Sequence, residues 1–260
     1  MKIMWINPLG RPDDDEAIAA LIKGIKSTET EVEVVSLDTS PSPIDLEYRT
    51  YEALFYTDII HLVRYAANNH YDAAVLGCFY DPIIADAREI SGEMIVIGPC
   101  QASIQIMANL CNRFSVIVGS QKEVNQMHDN IHQYGYGRQL ASIRAMNLTT
   151  TDFLHNKQIT EQAMLQHAGE AVKHDFAEGI ILGCTLESGY HRKLQEQLDV
   201  PVVDCVYAAY KTAEHLAVLK NRFGWKPSRK WSCAPPPEKS IEEFGLFQDE
   251  PPIGNRITVN

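Results

Sequence analysis

The sequence lacks several features that mark large classes of protein. No apolar stretch is long enough to span a bilayer, and the apolar N-terminal run is broken by Asn7-Pro8, too early for a signal peptide. The six cysteines form no Cys-x-x-Cys pair and show no dense disulfide spacing. We therefore expect a cytoplasmic protein whose thiols are reduced.

Positive charge is also scarce. The chain has 23 Lys and Arg residues against 34 Asp and Glu, which gives a formal net charge of −11. So acidic a chain is poorly suited to phosphate backbones or anionic membranes, and we expect neither partner. It also lacks a Gly-rich dinucleotide motif, a P-loop and any metal-ligand spacing, so we expect no cofactor and no metal. The remaining partner class is a small-molecule substrate.

Short apolar runs alternate with amphipathic stretches along the chain. The runs predict strands at Lys2–Ile6, Glu31–Leu37, Ala73–Leu76, Met94–Ile97, Phe114–Val118, Ser142–Met146, Gly179–Leu182 and Val200–Val203. The stretches predict helices at Tyr56–Asn68, Pro82–Ile90, Ser103–Leu110, Glu161–His174, Tyr190–Leu198 and Ala208–Leu219. This alternation predicts an α/β fold whose sheets are mainly parallel and flanked by helices.

The two parts of the chain repeat each other. A shift of 106 residues places Val75-Leu76-Gly77-Cys78 on Ile181-Leu182-Gly183-Cys184 without a gap. A repeat of this length indicates duplicated domains. We predict two pseudo-symmetric α/β domains with the active site in the cleft between them. The N-terminal domain comprises 1–97 and 206–222, and the C-terminal domain comprises 98–205.

The C-terminal segment 223–260 differs in composition from the rest. It is rich in proline and holds Trp225 and Trp231, and proline cannot continue a helix or a central strand. We predict an extended tail that packs on a protein surface, which would be that of a neighbouring subunit in a homo-oligomer.

Cys78 and Cys184 are the candidate catalytic residues. Each follows a glycine at the end of an apolar strand, where open α/β sheets place their ligands. Asp81 and Pro82 predict that a helix starts just after Cys78, and its dipole would lower the thiol pKa. The repeat predicts the same setting for Cys184. A lone cysteine there is usually a buried packing residue, but the recurrence in both halves favours a catalytic pair. One thiolate would remove a proton while the opposite thiol supplies one.

These residues resemble the aspartate/glutamate racemase superfamily, and among its members the hydantoin and allantoin racemases. The resemblance covers residues 1–220. It rests on Ile6-Asn7-Pro8, Gly77-Cys78-Phe79-Tyr80-Asp81-Pro82, Arg113-Phe114-Ser115-Val116, and Gly183-Cys184-Thr185 with Val200-Pro201-Val202-Val203-Asp204. It implies a cofactor-independent racemase of a 5-substituted hydantoin or allantoin-like ring, with Cys78 and Cys184 as its two bases.

The resemblance also implies substrate contacts from the loops that follow the strands. These residues are Asn7, Phe79, Ser120, Gln121 and Thr185. Each has a structural alternative: Asn7 as a turn residue, Phe79 as core packing, and Ser120 with Gln121 as a helix start.

The chain departs from the family pattern around the site. Arg11 stands in the first loop, where it could bind a substrate carboxylate or be a solvated charge. Tyr80, a further candidate substrate contact, replaces an acidic residue. These departures leave two other functions open. One is a non-racemising enzyme that uses a cysteine on a hydantoin- or thiohydantoin-like ring for hydrolysis, decarboxylation or isomerisation. The other is a non-catalytic small-ligand-binding protein.

Overall fold

The protein contains two compact units, each built around one sheet. The computed structural model describes residues 1–39, 43 and 45–260. The first unit comprises residues 1–77, 82–97 and 210–260, and the second comprises residues 78–81 and 98–209. The segment 223–260 is therefore part of the first unit and not a separate tail.

Strands and helices alternate along the chain. The described strands are β1 (Lys2–Asn7), β2 (Glu31–Leu37), β3 (Ala73–Leu76), β4 (Ile95–Ile97), β5 (Phe114–Val118), β6 (Leu140–Ala145), β7 (Gly179–Leu182), β8 (Val202–Asp204) and β9 (Ile253–Val259). The described α-helices are α1 (Pro12–Lys23), α2 (Arg49–Asn68), α3 (Ile84–Ile90), α4 (Pro99–Met107), α5 (Val124–Gln133), α6 (Thr150–His155), α7 (Lys157–His174), α8 (His191–Leu198), α9 (Cys205–Phe223) and α10 (Glu238–Glu243). None of the described helices is both long enough and apolar enough to cross a membrane.

The first four strands of the two units have the same arrangement when the second sheet is taken in the reverse direction, so that β1, β2, β3 and β4 correspond to β5, β6, β7 and β8. The first unit has the order β4-β3-β1-β2-β9, and the second has β6-β5-β7-β8. Every pairing is parallel except that of β9 with β2. In both sheets the strand that opens the unit lies beside the strand that precedes a candidate cysteine. The predicted α/β class with mainly parallel, helix-flanked sheets is confirmed.

The central strands are buried along their whole length. All residues of β3, β5 and β7 are buried, as expected for parallel strands covered on both faces. Helices cover the second sheet through an apolar cluster that includes Met164, Ala168 and Leu194. This packing supports the carboxyl end of β7, which Cys184 follows.

The C-terminal segment is more ordered than an extended arm. It forms the short helix α10 and the edge strand β9, which pairs with β2 from Val32 to Leu37. Proline is compatible with this arrangement because Pro251 and Pro252 precede the edge strand. Trp225 is 65% exposed and Trp231 is 91% exposed. Their expected packing on a neighbouring subunit stays a prediction.

Candidate active site

Cys78 and Cys184 occupy matching turns. Cys78 follows β3 and Gly77, and Cys184 follows β7 and Gly183. A side chain on Gly183 would lie 2.5 Å from the carbonyl oxygen of Ile117, so the strand can approach its neighbour this closely only with glycine there. Both cysteines are partly exposed. A ligand can therefore reach these turns.

The two cysteines lie in the same compact unit. Residues 78–81 group with the second unit, although β3 belongs to the first. Negative charge on Cys78 raises the pKa of Cys184.

The helix after Cys78 begins later than the sequence predicts. We expected it to start at Asp81 and Pro82, but α3 starts at Ile84. Asp81 and Ile83 have φ values of 49° and 44°, in the left-handed region. Such residues interrupt a right-handed helix. The prediction is wrong because the Asp81 side chain caps a different helix.

Asp81 caps α4. Its carboxyl oxygens accept hydrogen bonds from the backbone N–H groups of Cys100 at 2.9 Å and Gln101 at 2.8 Å, and from the hydroxyl of Tyr134 at 2.8 Å. Gly98 makes room for this contact, since a side chain there would lie 2.3 Å from the Asp81 carboxyl carbon. The cap satisfies orphan donors of α4 and fixes the turn after β3.

Asp204 caps α9 in the same way. One of its carboxyl oxygens accepts hydrogen bonds from the N–H groups of Val206 at 3.0 Å and Tyr207 at 3.3 Å. The other accepts from the N–H of Gly189 at 2.8 Å and lies 3.5 Å from Nδ1 of His191. Asp204 therefore ties the start of α9 to the loop that follows Cys184.

The thiol of Cys184 is difficult to ionise. Burial raises its pKa well above the usual range, and the carboxyl groups of Glu187 and Glu123 raise it further. The expected lowering by a helix dipole is wrong for Cys184, because only the three-residue 3-10 helix Thr185–Glu187 follows it directly. Cys184 is accordingly a thiol near neutral pH.

Three predicted substrate contacts lie on the two cysteine-bearing turns. Phe79 is buried, and Tyr80 is partly exposed while its carbonyl accepts a hydrogen bond of 2.7 Å from the side-chain amide of Asn130. Thr185 is partly exposed and begins the 3-10 helix. All three lie within two residues of a cysteine in the sequence, and their contact with substrate stays a prediction.

Ser120 and Gln121 form the turn that precedes α5. The N–H of Ser120 donates to the carboxyl group of Glu123 at 3.0 Å, and the N–H of Lys122 donates to the Ser120 hydroxyl at 3.2 Å. Gln121 is exposed. These bonds place Ser120 at the start of a helix, which is the structural alternative given for it above. Substrate contact stays a prediction for both residues.

Asn7 and Arg11 belong to the first unit. Asn7 ends β1, is 8% exposed, and donates its side-chain amide to Asp15 at 2.7 Å. Arg11 forms an ion pair with Asp14 at 3.0 Å. Both side chains are thus held by acidic residues in the first turns of α1.

The other four cysteines differ in their exposure. Cys100 and Cys205 are fully buried core residues, and burial raises the pKa of both. The Cys111 sulfur is partly exposed and lies 3.4 Å from the carbonyl oxygen of Arg113. Cys233 is exposed.

Sequence reasoning missed three acidic residues around the cysteines. They are Asp81 as the cap of α4, Asp204 as the cap of α9, and Glu187 beside Cys184. The repeat contained the signal, because the shift of 106 residues places Asp81 on Glu187 and Gly98 on Asp204. Among the described residues, no three histidine, cysteine or acidic side chains are grouped so that they could hold a metal ion.

Comparison with known proteins assigns this architecture to a family. The model of the Asp/Glu/hydantoin racemase family matches residues 4–213. The chain belongs to the Asp/Glu/hydantoin racemase family. This protein is therefore an enzyme of the racemase and isomerase superfamily, as the resemblance implied, and the ligand-binding alternative is set aside.

Individual relatives align with most of the chain. It is 30% identical to a hydantoin racemase from Paenarthrobacter aurescens over 239 residues, which is 92% of this chain and 99% of the relative. It is 32% identical to a hydantoin racemase from Rhizobium meliloti over 216 residues, covering 83% and 88%. The solved allantoin racemase from Klebsiella pneumoniae superposes with a TM-score of 0.83 at 25% identity, covering 91% and 94%.

Proposed function

We propose that this enzyme racemises a 5-substituted hydantoin or an allantoin-like ring by proton transfer between Cys78 and Cys184. The observation that carries the proposal is the equivalence of the two cysteines. Both follow a glycine at the end of a buried central strand, both are partly exposed, and negative charge on Cys78 raises the pKa of Cys184.

The chemistry needs a base and an acid on opposite faces of one carbon. The hydrogen on C5 of a hydantoin is acidic because its removal gives an enolate that delocalises over the adjacent carbonyl. The Cys78 thiolate takes this proton and becomes a thiol. The Cys184 thiol donates its own proton to the other face and becomes a thiolate. The roles reverse for the opposite enantiomer, and no net proton or electron is consumed.

Residues near the cysteines would orient the ring. Phe79, Tyr80 and Thr185 adjoin the two thiols in sequence, and the backbone amides of these turns are suited to hold carbonyl oxygens as enolate charge develops. Fixed donors of this kind stabilise the enolate more than they stabilise the neutral substrate.

The relatives support the substrate class. The named curated relatives are hydantoin racemases, and the structural relative is an allantoin racemase. Both rings place an acidic C–H between a ring nitrogen and a carbonyl. The same two-thiol arrangement could therefore act on either.

Polarimetry with mass analysis tests the proposal. Enantiopure 5-substituted hydantoins and allantoin should lose optical rotation with the enzyme while their mass stays unchanged. Cys78→Ser should abolish the loss, whereas Cys233→Ser, which alters an exposed cysteine outside the cysteine-bearing turns, should retain it. A product of altered mass would instead indicate hydrolysis or decarboxylation of the ring by a nucleophilic cysteine.

A further inference from the structure

Glu187 is a buried carboxyl group without hydrogen bonds. Its residue is 0% exposed, and neither side-chain oxygen has a hydrogen-bond partner among the residues that the structure describes. It ends the 3-10 helix that starts directly after Cys184, and its own N–H donates to the Cys184 carbonyl at 3.0 Å. Because an ionised carboxylate in such a place is unfavourable, burial raises the pKa of Glu187 well above its usual range.

The counterpart of Glu187 in the sequence repeat has a clear structural role. Asp81 accepts two backbone hydrogen bonds at the start of α4 and a third from Tyr134. In the second half Asp204 caps α9, so Glu187 has no helix to cap. Helix capping therefore accounts for Asp81 and leaves Glu187 unexplained.

The groups that act on Glu187 come from several elements. Glu123, in the turn before α5, and Asp204, at the end of β8, both raise its pKa, in addition to the larger effect of burial. The amides of Gly183 and Cys184 lower it without reaching hydrogen-bonding geometry. On α6, which packs against the 3-10 helix, Asp152 is engaged with Thr149.

Glu187 acts in turn on the neighbouring thiols. Its negative charge opposes ionisation of Cys184 and of the buried Cys205, while Cys78 acts on Cys184 from the other turn. A carboxyl group and a thiol that act on each other in this way titrate as a pair. Because the carboxyl group is intrinsically the stronger acid, it ionises first and thereby holds the thiol proton in place.

We propose that Glu187 is a positioning residue that keeps Cys184 in its thiol form, so that Cys184 is the proton donor and Cys78 the base in the resting enzyme. Only the roles of proton donor and base in this assignment rest on the proposed function. The ionisation of Cys184 itself can be measured without any substrate.

Alkylation by iodoacetamide tests the proposal. The rate at each cysteine is followed by peptide mass analysis from pH 6 to pH 11 in the wild type, Glu187→Gln and Glu187→Met. Both variants should shift the midpoint for Cys184 to lower pH and speed its alkylation near pH 8.5 by about tenfold or more, since one pKa unit changes the thiolate fraction about tenfold. The profile of Cys78 in the same samples is the internal control and should move much less.

Two outcomes would overturn the proposal. One is an unchanged midpoint for Cys184 in both variants. The other is a faster plateau rate at unchanged midpoint, which would mean that the substitutions only open the site. Because no substrate is present, an enzyme without racemase activity could still give the expected shift, and an active racemase could fail to give it.

Discussion

Single residues decide the chemical state of this site. Cys184 is a thiol because desolvation and the carboxyl groups of Glu187 and Glu123 raise its pKa, and no α-helix starts directly after it. The sequence predicts which cysteines matter, because glycine and cysteine recur at one repeat position. It does not predict their ionisation, because burial and the approach of Glu123 depend on contacts between distant segments.

The raised pKa of Glu187 predicts a pH-dependent stability. The folded protein holds a proton that the unfolded chain releases above the ordinary pKa of 4.5. The Glu187 contribution is therefore fully present below that pH and is lost as pH rises towards the folded pKa. Relative to the wild type, Glu187→Gln should gain about 1.4 kcal/mol of unfolding free energy per pH unit across this window.

Urea unfolding at several pH values between 5 and 8 measures this difference. Glu196→Gln, which alters an exposed glutamate on α8, is the matched control and should follow the wild type. A constant difference between Glu187→Gln and the wild type over this range would show that Glu187 is ionised in the folded protein.

Secondary structure elements differ in how far the sequence predicts them. The sequence predicts the bounds of β3, β5 and β7 to the residue, because fully buried strands are mainly apolar runs. It also predicts the bounds of β2, in which glutamate and valine alternate at the start. The start of α3 was wrong because Asp81 turns to α4, a contact that local capping signals do not contain. The sequence analysis does not predict β9, because the prolines of segment 223–260 argue against a strand there. Ile253–Val259 nevertheless alternates between more and less buried residues, as an edge strand does.

The edge strand β9 also supports a predicted substrate contact. Asn255 donates its side-chain amide at 2.9 Å to Asp15, the fully buried residue that also receives the amide of Asn7. Asn255→Ala should leave one buried carboxyl oxygen without this donor and lower the unfolding free energy by about 1–3 kcal/mol. Thr258→Ala, on the exposed face of the same strand, should change it by less than about 0.5 kcal/mol. Equal losses in thermal or urea unfolding would show that the Asn255 hydrogen bond contributes nothing specific.

At the scale of the whole molecule, duplication explains both the fold and the pair of cysteines. The two sheets have equivalent strand orders, and β3 and β7 are offset by the same 106 residues as the cysteines. A duplicated scaffold supplies two similar acid–base groups, and inversion of a carbon acid requires such a pair. The acidic residues then make the halves unequal, since Asp81 caps a helix and Glu187 does not.

The central claim is that Cys78 and Cys184 each serve one enantiomer. Proton exchange at C5 in deuterium oxide, followed by NMR on both enantiomers of a 5-substituted hydantoin, tests it most directly. Cys78→Ser and Cys184→Ser should both abolish racemisation, and each should retain exchange with only one enantiomer, opposite in the two variants, because the remaining thiol reaches one face of the ring. Cys233→Ser should exchange and racemise both enantiomers. Exchange of the same enantiomer by both variants, or no exchange by the wild type, would contradict the two-base account.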